Sequence, residues 1–202
     1  PHRNPPPILF HRNQLGQTLN GPSAFRFNFS ENAVILTGIG PASETLNELL
    51  PVIRDVVSES VGTVAQIEIL SGACNLQVRP KLGLCKFSRL VIQSGPRNSP
   101  WVSIRGKDDL YKLLNEKSTE FLDHTKKILV DGIKAQCDIL GMEYPQDAVL
   151  GDIVVTKSGS VPANKKSIYL ATISGTFRSN LHFEGPWNVG RLHQKGAGAI
   201  SS

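Results

Sequence analysis

The chain holds only three cysteines, Cys74, Cys85 and Cys137, and no two form a C-x-x-C pair. An odd, scattered set supports neither a disulfide framework nor a structural zinc site, and it fits a reducing, cytoplasmic compartment. No run of about 18 apolar residues is present, which argues against a helical membrane span. No leader of the secretory type opens the chain either. Catalytic signatures are equally scarce. H-E-x-x-H, G-x-S-x-G and the P-loop G-x-x-x-x-G-K are all missing, so zinc-protease, serine-hydrolase and nucleoside-triphosphate chemistry find no support. One H-x-E occurs, His182–Phe183–Glu184, but no P-C-x-x-C accompanies it, which argues against a zinc deaminase. In a strand those two polar side chains would share the solvent face. The expectation is a protein without metal or other cofactor.

The most informative shortage is local. Acidic residues are absent from residues 69–107, a stretch that contains Arg79, Lys81, Lys86, Arg89, Arg97, Arg105 and Lys107. Residues 1–30 also lack an acid while carrying Arg3, Arg12 and Arg26. After Asp152 only Glu184 opposes Lys157, Lys165, Lys166, Arg178, Arg191 and Lys195. The acids collect in segments 31–68 and 108–152. Three basic blocks set against acidic helical backs would draw a polyanion to one side of the molecule. The plainer alternative is that these charges are solvated all round the surface.

What is there reads as alternating helix and strand. The opening PHRNPPPILFHRN is extended, because consecutive prolines remove amide donors. Phe25, Phe27 and Phe29 alternate with Arg26 and Asn28, the period of a half-buried strand. Residues 33–39 form a second strand, and Gly40–Pro41 leads into a helix over 42–60. Its apolar positions Leu46, Leu49, Leu50, Ile53, Val56 and Val57 recur at three and four, with Pro51 bending it or ending its first part. Strands follow at 64–70 and 89–93. A second periodic segment runs over 108–140, started by Asp108, stopped by Gly141 and broken near Ser118. Strands are predicted at 153–156 and 168–179, then one through Leu181 and Phe183. A short helix is predicted over 187–193, followed by a glycine turn and a final strand at 199–200.

Strand–strand steps are too frequent for a doubly wound parallel sheet. The pattern predicts an α+β fold of ferredoxin-like (RRM-like) units, with helices on one face of an antiparallel sheet and the other face open. The predicted division is 1–85 and 86–202.

Histidine, lysine and arginine close to glycine suit one reaction in particular, cleavage of RNA by its own 2′-hydroxyl. The nucleophile comes with the substrate, so the protein needs to orient the phosphate, move protons and stabilise charge. His124, between charged neighbours on the long helix, reads as a surface residue. Trp101 and Trp187 are either base-stacking residues or packing beneath loops, and the three phenylalanines are either a stacking platform or core.

Three segments carry a resemblance: AVILTGIGPASETLNELLPVIRDV, RLVIQSGPRNSPWVSIRGKDDLYKLLNEK and ISGTFRSNLHFEGPWNVGRLHQKGAGAI. Together they resemble the CRISPR repeat-processing endoribonucleases of the RAMP superfamily. The resemblance implies two tandem ferredoxin-like domains, the first here short of its first strand and helix. It also implies metal-independent cleavage of precursor CRISPR RNA within its repeats, leaving a 2′,3′-cyclic phosphate, in a prokaryotic cytoplasm. Repeat RNA is the implied partner, with other CRISPR effector subunits as further ones. The glycine-rich loop of that family would fall on Gly190, Arg191, Lys195, Gly196 and Gly198; His193, placed by the same turn, is either a further RNA contact or a cap of the short helix before it. The loop here is shorter and less glycine-dense than the family's usual form. Its catalytic histidine would fall on His2 or His11, on either side of ILF. A non-catalytic RNA-binding subunit of a CRISPR ribonucleoprotein, with the same fold and basic side, stays open as the alternative.

Overall fold

Pairings between residues far apart in the chain decide the architecture. The computed structural model describes residues 15, 24–29, 34–61, 72–93, 101, 104, 107–116, 118–162, 169–192 and 197–202. Strands β1 (Phe25–Phe29) and β2 (Val34–Gly38) form an antiparallel ladder from Phe25 opposite Gly38 to Phe29 opposite Val34. Helix α1 (Pro41–Val61) follows at once. Pro41 sits where a helix needs no amide donor, and the Ser43 hydroxyl donates to the Gly40 carbonyl at 2.7 Å. Pro51 lies inside α1 without ending it.

The second sheet is built from β3 (Asn75–Val91), β4 (Leu150–Pro162), β5 (Tyr169–Glu184), β6 (Trp187–Asn188) and β7 (Ala199–Ser201). Its order is β4-β5-β3-β7-β6, and every pair is antiparallel. The connections carry α2 (Lys107–Glu116) and α3 (Ser118–Leu140), so the predicted break near Ser118 is present. Helix α3 ends in a Schellman arrangement: the Met142 amide donates to Cys137 O at 2.9 Å and the Gly141 amide to Asp138 O at 3.2 Å.

The buried stripe of α3 is Phe121, Thr125, Ile128, Leu129, Ile133, Gln136 and Cys137, spaced at three and four. It packs with Cys85, Phe87 and Leu90 of β3 and Ile173, Phe177 and Leu181 of β5. A run of rings crosses this core: Phe87–Phe177 at 6.4 Å, Phe177–Phe183 at 6.3 Å and Phe183–Trp187 at 5.4 Å between centroids. Such pairs contribute about 0.5–1.5 kcal/mol each beyond their buried area. Trp187 is thus core, and its indole N–H donates to Glu184 O at 3.0 Å.

The α+β class with antiparallel sheets agrees with the sequence reading, and several particulars differ. The strand expected at 89–93 is the end of a 17-residue strand that begins at Asn75. The division after residue 85 therefore falls inside β3. The short helix expected over 187–193 instead begins with strand β6, completed by β7: Trp187 lies opposite Ile200 and Asn188 opposite Ala199. The strand expected at 64–70 lies outside the described residues.

Candidate nucleic-acid interface

The basic strand β3 carries four of the predicted RNA-binding residues, and its two irregularities decide where they go. Val78 pairs with Leu181 and Gly83 with Ser179, so Arg79, Pro80, Lys81 and Leu82 together face the single residue Asn180. All four are exposed. The opposing strand is firmly held there. Asn180 donates through Nδ2 to Asp147 O at 2.9 Å and accepts the Val149 amide at 2.7 Å, while the Ser179 hydroxyl donates to Val149 O. A wide bulge thus projects Arg79 and Lys81 from a rigid base.

The second irregularity lies between Phe87 and Leu90. Arg89 has a φ of 52°, its amide donates to the Ser174 hydroxyl at 2.9 Å, and its carbonyl accepts the Gly198 amide at 3.2 Å. This bulge ties the basic strand to the stem of the glycine segment. Three more bonds close that stem: Val189 N to Gly198 O at 2.9 Å, Ala197 N to Leu192 O at 3.3 Å, and Asn188 Nδ2 to Ala197 O at 3.1 Å.

Gly198 has a φ of 69°, and a Cβ there would overlap the Val189 carbonyl oxygen. Gly190, at a φ of 76°, packs beside Leu90 and Ile128. Gly198 serves the protein's own close backbone approach, whereas Gly190 takes up a left-handed conformation beneath two side chains. Arg191 is exposed, yet its Nη1 donates to Gln93 O at 2.8 Å, which fixes one side of the guanidinium.

Lys86 pairs with Thr176 on one side and Ser201 on the other. Register places Leu84, Lys86, Thr176, Arg178 and Val154 on the face opposite Cys85, Phe87 and Phe177. The large apolar groups exposed on that face are aliphatic, Leu84 at 59% and Val154 at 55%. Arg178 lies 3.7 Å from Asp152, both well exposed, a pair of small energetic weight.

The structure therefore brings Lys86, Arg89, Gly190, Arg191 and Gly198 together around one stem and sets Arg79 and Lys81 toward the other end of β3. Lys107 opens α2. His2, His11, Arg97, Arg105, His193, Lys195 and Gly196 lie outside the described residues. Two polar residues depart from their sequence reading. Arg26, counted with the basic blocks, is buried at 1% exposure. His124, read as a surface residue, is half-buried, with its ring stacked on Trp101 at 4.7 Å and Nε2 2.9 Å from Ile92 O. That carbonyl can only accept, so the Nε2 atom carries the hydrogen. Burial lowers its pKa from the usual histidine value, with Lys127 adding to the effect and the Ile92 bond opposing it. His182 is the other described histidine. Its Nε2 lies 3.7 Å from Glu184 Oε1, while its buried Nδ1 has no hydrogen-bond partner among the described residues. His182 and Glu184 share one strand face, but His182 is largely covered there rather than facing solvent as expected. Among the described residues no three His, Cys, Asp or Glu side chains gather as metal ligands.

The sequence model of the type IV CRISPR-associated endonuclease Csf5 matches residues 2–202. The chain belongs to the Csf5 family. It thereby stands among CRISPR repeat-processing proteins of the RAMP type, as the sequence resemblance implied, and CRISPR endonuclease activity is the family's. Solved structures agree in fold. A Csf5 described as the type IV Cas6 crRNA endonuclease superposes with a TM-score of 0.63 at 15% identity, covering 100% of this chain and 89% of that one. A Cas6b crystal structure gives 0.61 at 16% identity, with 95% and 86% covered. A Cas6b CRISPR RNA processing endoribonuclease gives 0.57 at 16%, with 90% and 82% covered. No curated protein sequence matches the chain. No helix among the described residues is long and apolar enough to cross a membrane.

Proposed function

We propose that this Csf5-family chain is a metal-independent endoribonuclease that cuts precursor CRISPR RNA within its repeats and retains the product. In the proposed step the 2′-oxygen loses its proton to a base and attacks the adjacent phosphorus. The bond to the 5′-oxygen breaks, that oxygen takes a proton, and a 2′,3′-cyclic phosphate remains. His2 and His11 are the proposed proton-transfer residues. Arg79, Lys81, Lys86, Arg89, Arg97, Arg105, Lys107, Arg191, His193 and Lys195, with Gly190, Gly196 and Gly198 shaping the loop, form the proposed RNA-binding set. Repeat RNA is the substrate, and other CRISPR effector subunits are the proposed further partners.

One observation supports this reading above the rest: Lys86 pairs with Ser201, Arg89 O accepts the Gly198 amide and Arg191 lies between Gly190 and Leu192, so all three cations are borne by one hydrogen-bonded stem. Cations held on a rigid frame place a phosphate without reorganisation. The second reading, a non-catalytic RNA-binding subunit, rests on the same cations. Labelled repeat RNA incubated with the protein in EDTA separates them. A fragment ending in a cyclic phosphate, lost in His2→Ala or His11→Ala, is the expected result. Cleavage abolished by EDTA overturns metal independence, and tight binding without a product selects the second reading.

A further inference from the structure

Arg26 is the largest buried polar side chain among the described residues, and the hydrogen bonds described for it all run to neutral oxygens. Nη1 donates to Asn188 Oδ1 at 2.7 Å and to Pro186 O at 2.9 Å, and Nη2 donates to Gln136 Oε1 at 2.8 Å. Its Nε is buried without a hydrogen-bond partner among the described residues. Burial lowers its pKa to about 10, an effect that nearby Cys74 opposes. The guanidinium still stays charged at neutral pH, so a cation is kept inside at real desolvation cost.

The acceptors are connected to one another. Gln136 Nε2 donates to Pro186 O at 2.9 Å, and Gln136 Oε1 also accepts the Asn188 amide at 2.9 Å. The orientation of both amides follows from chemistry, because a guanidinium only donates and must face oxygens. Asn188 Nδ2 is thereby left for Ala197 O at 3.1 Å. Each link in the chain Arg26–Asn188–Ala197 is a hydrogen bond between groups no more than 6% exposed. It joins β1 to the base of the glycine segment 162 to 171 residues away.

We infer that Arg26 is a positioning residue for RNA binding: from inside the protein it fixes, through Asn188, the stem in which Val189 and Leu192 meet Gly198 and Ala197. This inference rests on the proposed RNA-binding role of the residues around that stem. A guanidinium suits the task because it meets Asn188, Pro186 and Gln136 with two rigidly related nitrogens, which an ammonium cannot do. Without it, the Asn188 amide is free to turn and the bond to Ala197 loses its fixed donor.

Asn188→Asp isolates the link. The carboxylate still accepts from Arg26, so β1 stays docked, but it offers Ala197 O no donor. Binding of a labelled single-stranded oligoribonucleotide at low ionic strength is measured for wild type, Asn188→Asp and Arg26→Met. Loss of one such bond corresponds to about a tenfold weakening. That loss is expected in both variants, and Arg26→Met is expected to cost nothing further once Arg191 and Lys195 are alanine. Wild-type affinity in Asn188→Asp overturns the inference, as does an undiminished Arg26→Met effect in the loop-neutral background. So does loss of cleavage rate with binding unchanged, which would place Arg26 in the chemistry itself.

Amide hydrogen exchange at Val189 and Gly198 supplies a readout that needs no RNA. Faster exchange in Asn188→Asp supports the inference and unchanged exchange overturns it, even if the protein binds no RNA and the functional reading fails separately.

Discussion

Trp101 lies flat on His124, with ring planes 11° apart, and the imidazole is simultaneously tied to the Ile92 carbonyl at the end of β3. This contact is sensitive to acid. Because the folded His124 pKa lies below the ordinary value of 6.5, the unfolded chain takes up the proton first as pH falls. Stability is expected to decline below about pH 6.5 until the folded imidazole also protonates. Urea midpoints at pH 7.5 and 5.5 check this. The difference between them should shrink in His124→Gln, and an equal difference would mean that other groups carry the dependence.

Lys86 and Arg89 flank the loop stem and are exposed. Replacing either with alanine should weaken RNA binding and lower the slope of log affinity against log salt by about 0.7 for a single strand. Lys134→Ala serves as the control. Lys134 lies on α3 with Nζ over the Tyr144 ring at 5.2 Å. Salt titrations of the three variants decide it, and equal slopes throughout would separate these cations from the phosphates.

The left-handed backbone at Gly198 and the overlap a side chain would make with Val189 O predict a costly Gly198→Ala. Strain of this kind costs about 1–3 kcal/mol. The melting temperature should fall, and the loop stem should shift enough to weaken RNA binding in the same variant.

Phe177 is fully buried between Phe87 and Phe183. Phe177→Ala should lose about 3–5 kcal/mol through lost burial and the cavity left behind. Denaturant unfolding measures it. A loss under 1 kcal/mol would mean that the neighbouring rings collapse into the space.

The helices were legible in the sequence because their signals are local. Asp108, Gly141 and the three-four spacing from Leu110 to Cys137 give α2 and α3 nearly to the residue. The first part of β3 was not legible, because RPKLGLCKF holds proline and glycine and its alternation is broken by a four-residue bulge. Strand β6 is two residues long and exists only through β7, which no local pattern reveals. The basic block over 69–107 marked this stretch as charged, but not that residues 75–88 form one strand with 89–91. Formal charge alone, however, could not separate Arg26 from the surface arginines, since its partners Gln136, Pro186 and Asn188 lie more than 100 positions away. His124 was misplaced for the same reason: Trp101, which half-buries it, comes from another segment.

The wide bulge at Arg79–Pro80–Lys81–Leu82 has a further consequence. Where several residues stand against one, chain length is uncoupled from ladder register. Two residues could be added or removed between Val78 and Gly83 while every cross-strand partner on either side keeps its place. The strand thus behaves as a fixed rail with one adjustable prong, a point where evolution or an engineer can alter reach and charge without rebuilding the sheet beneath.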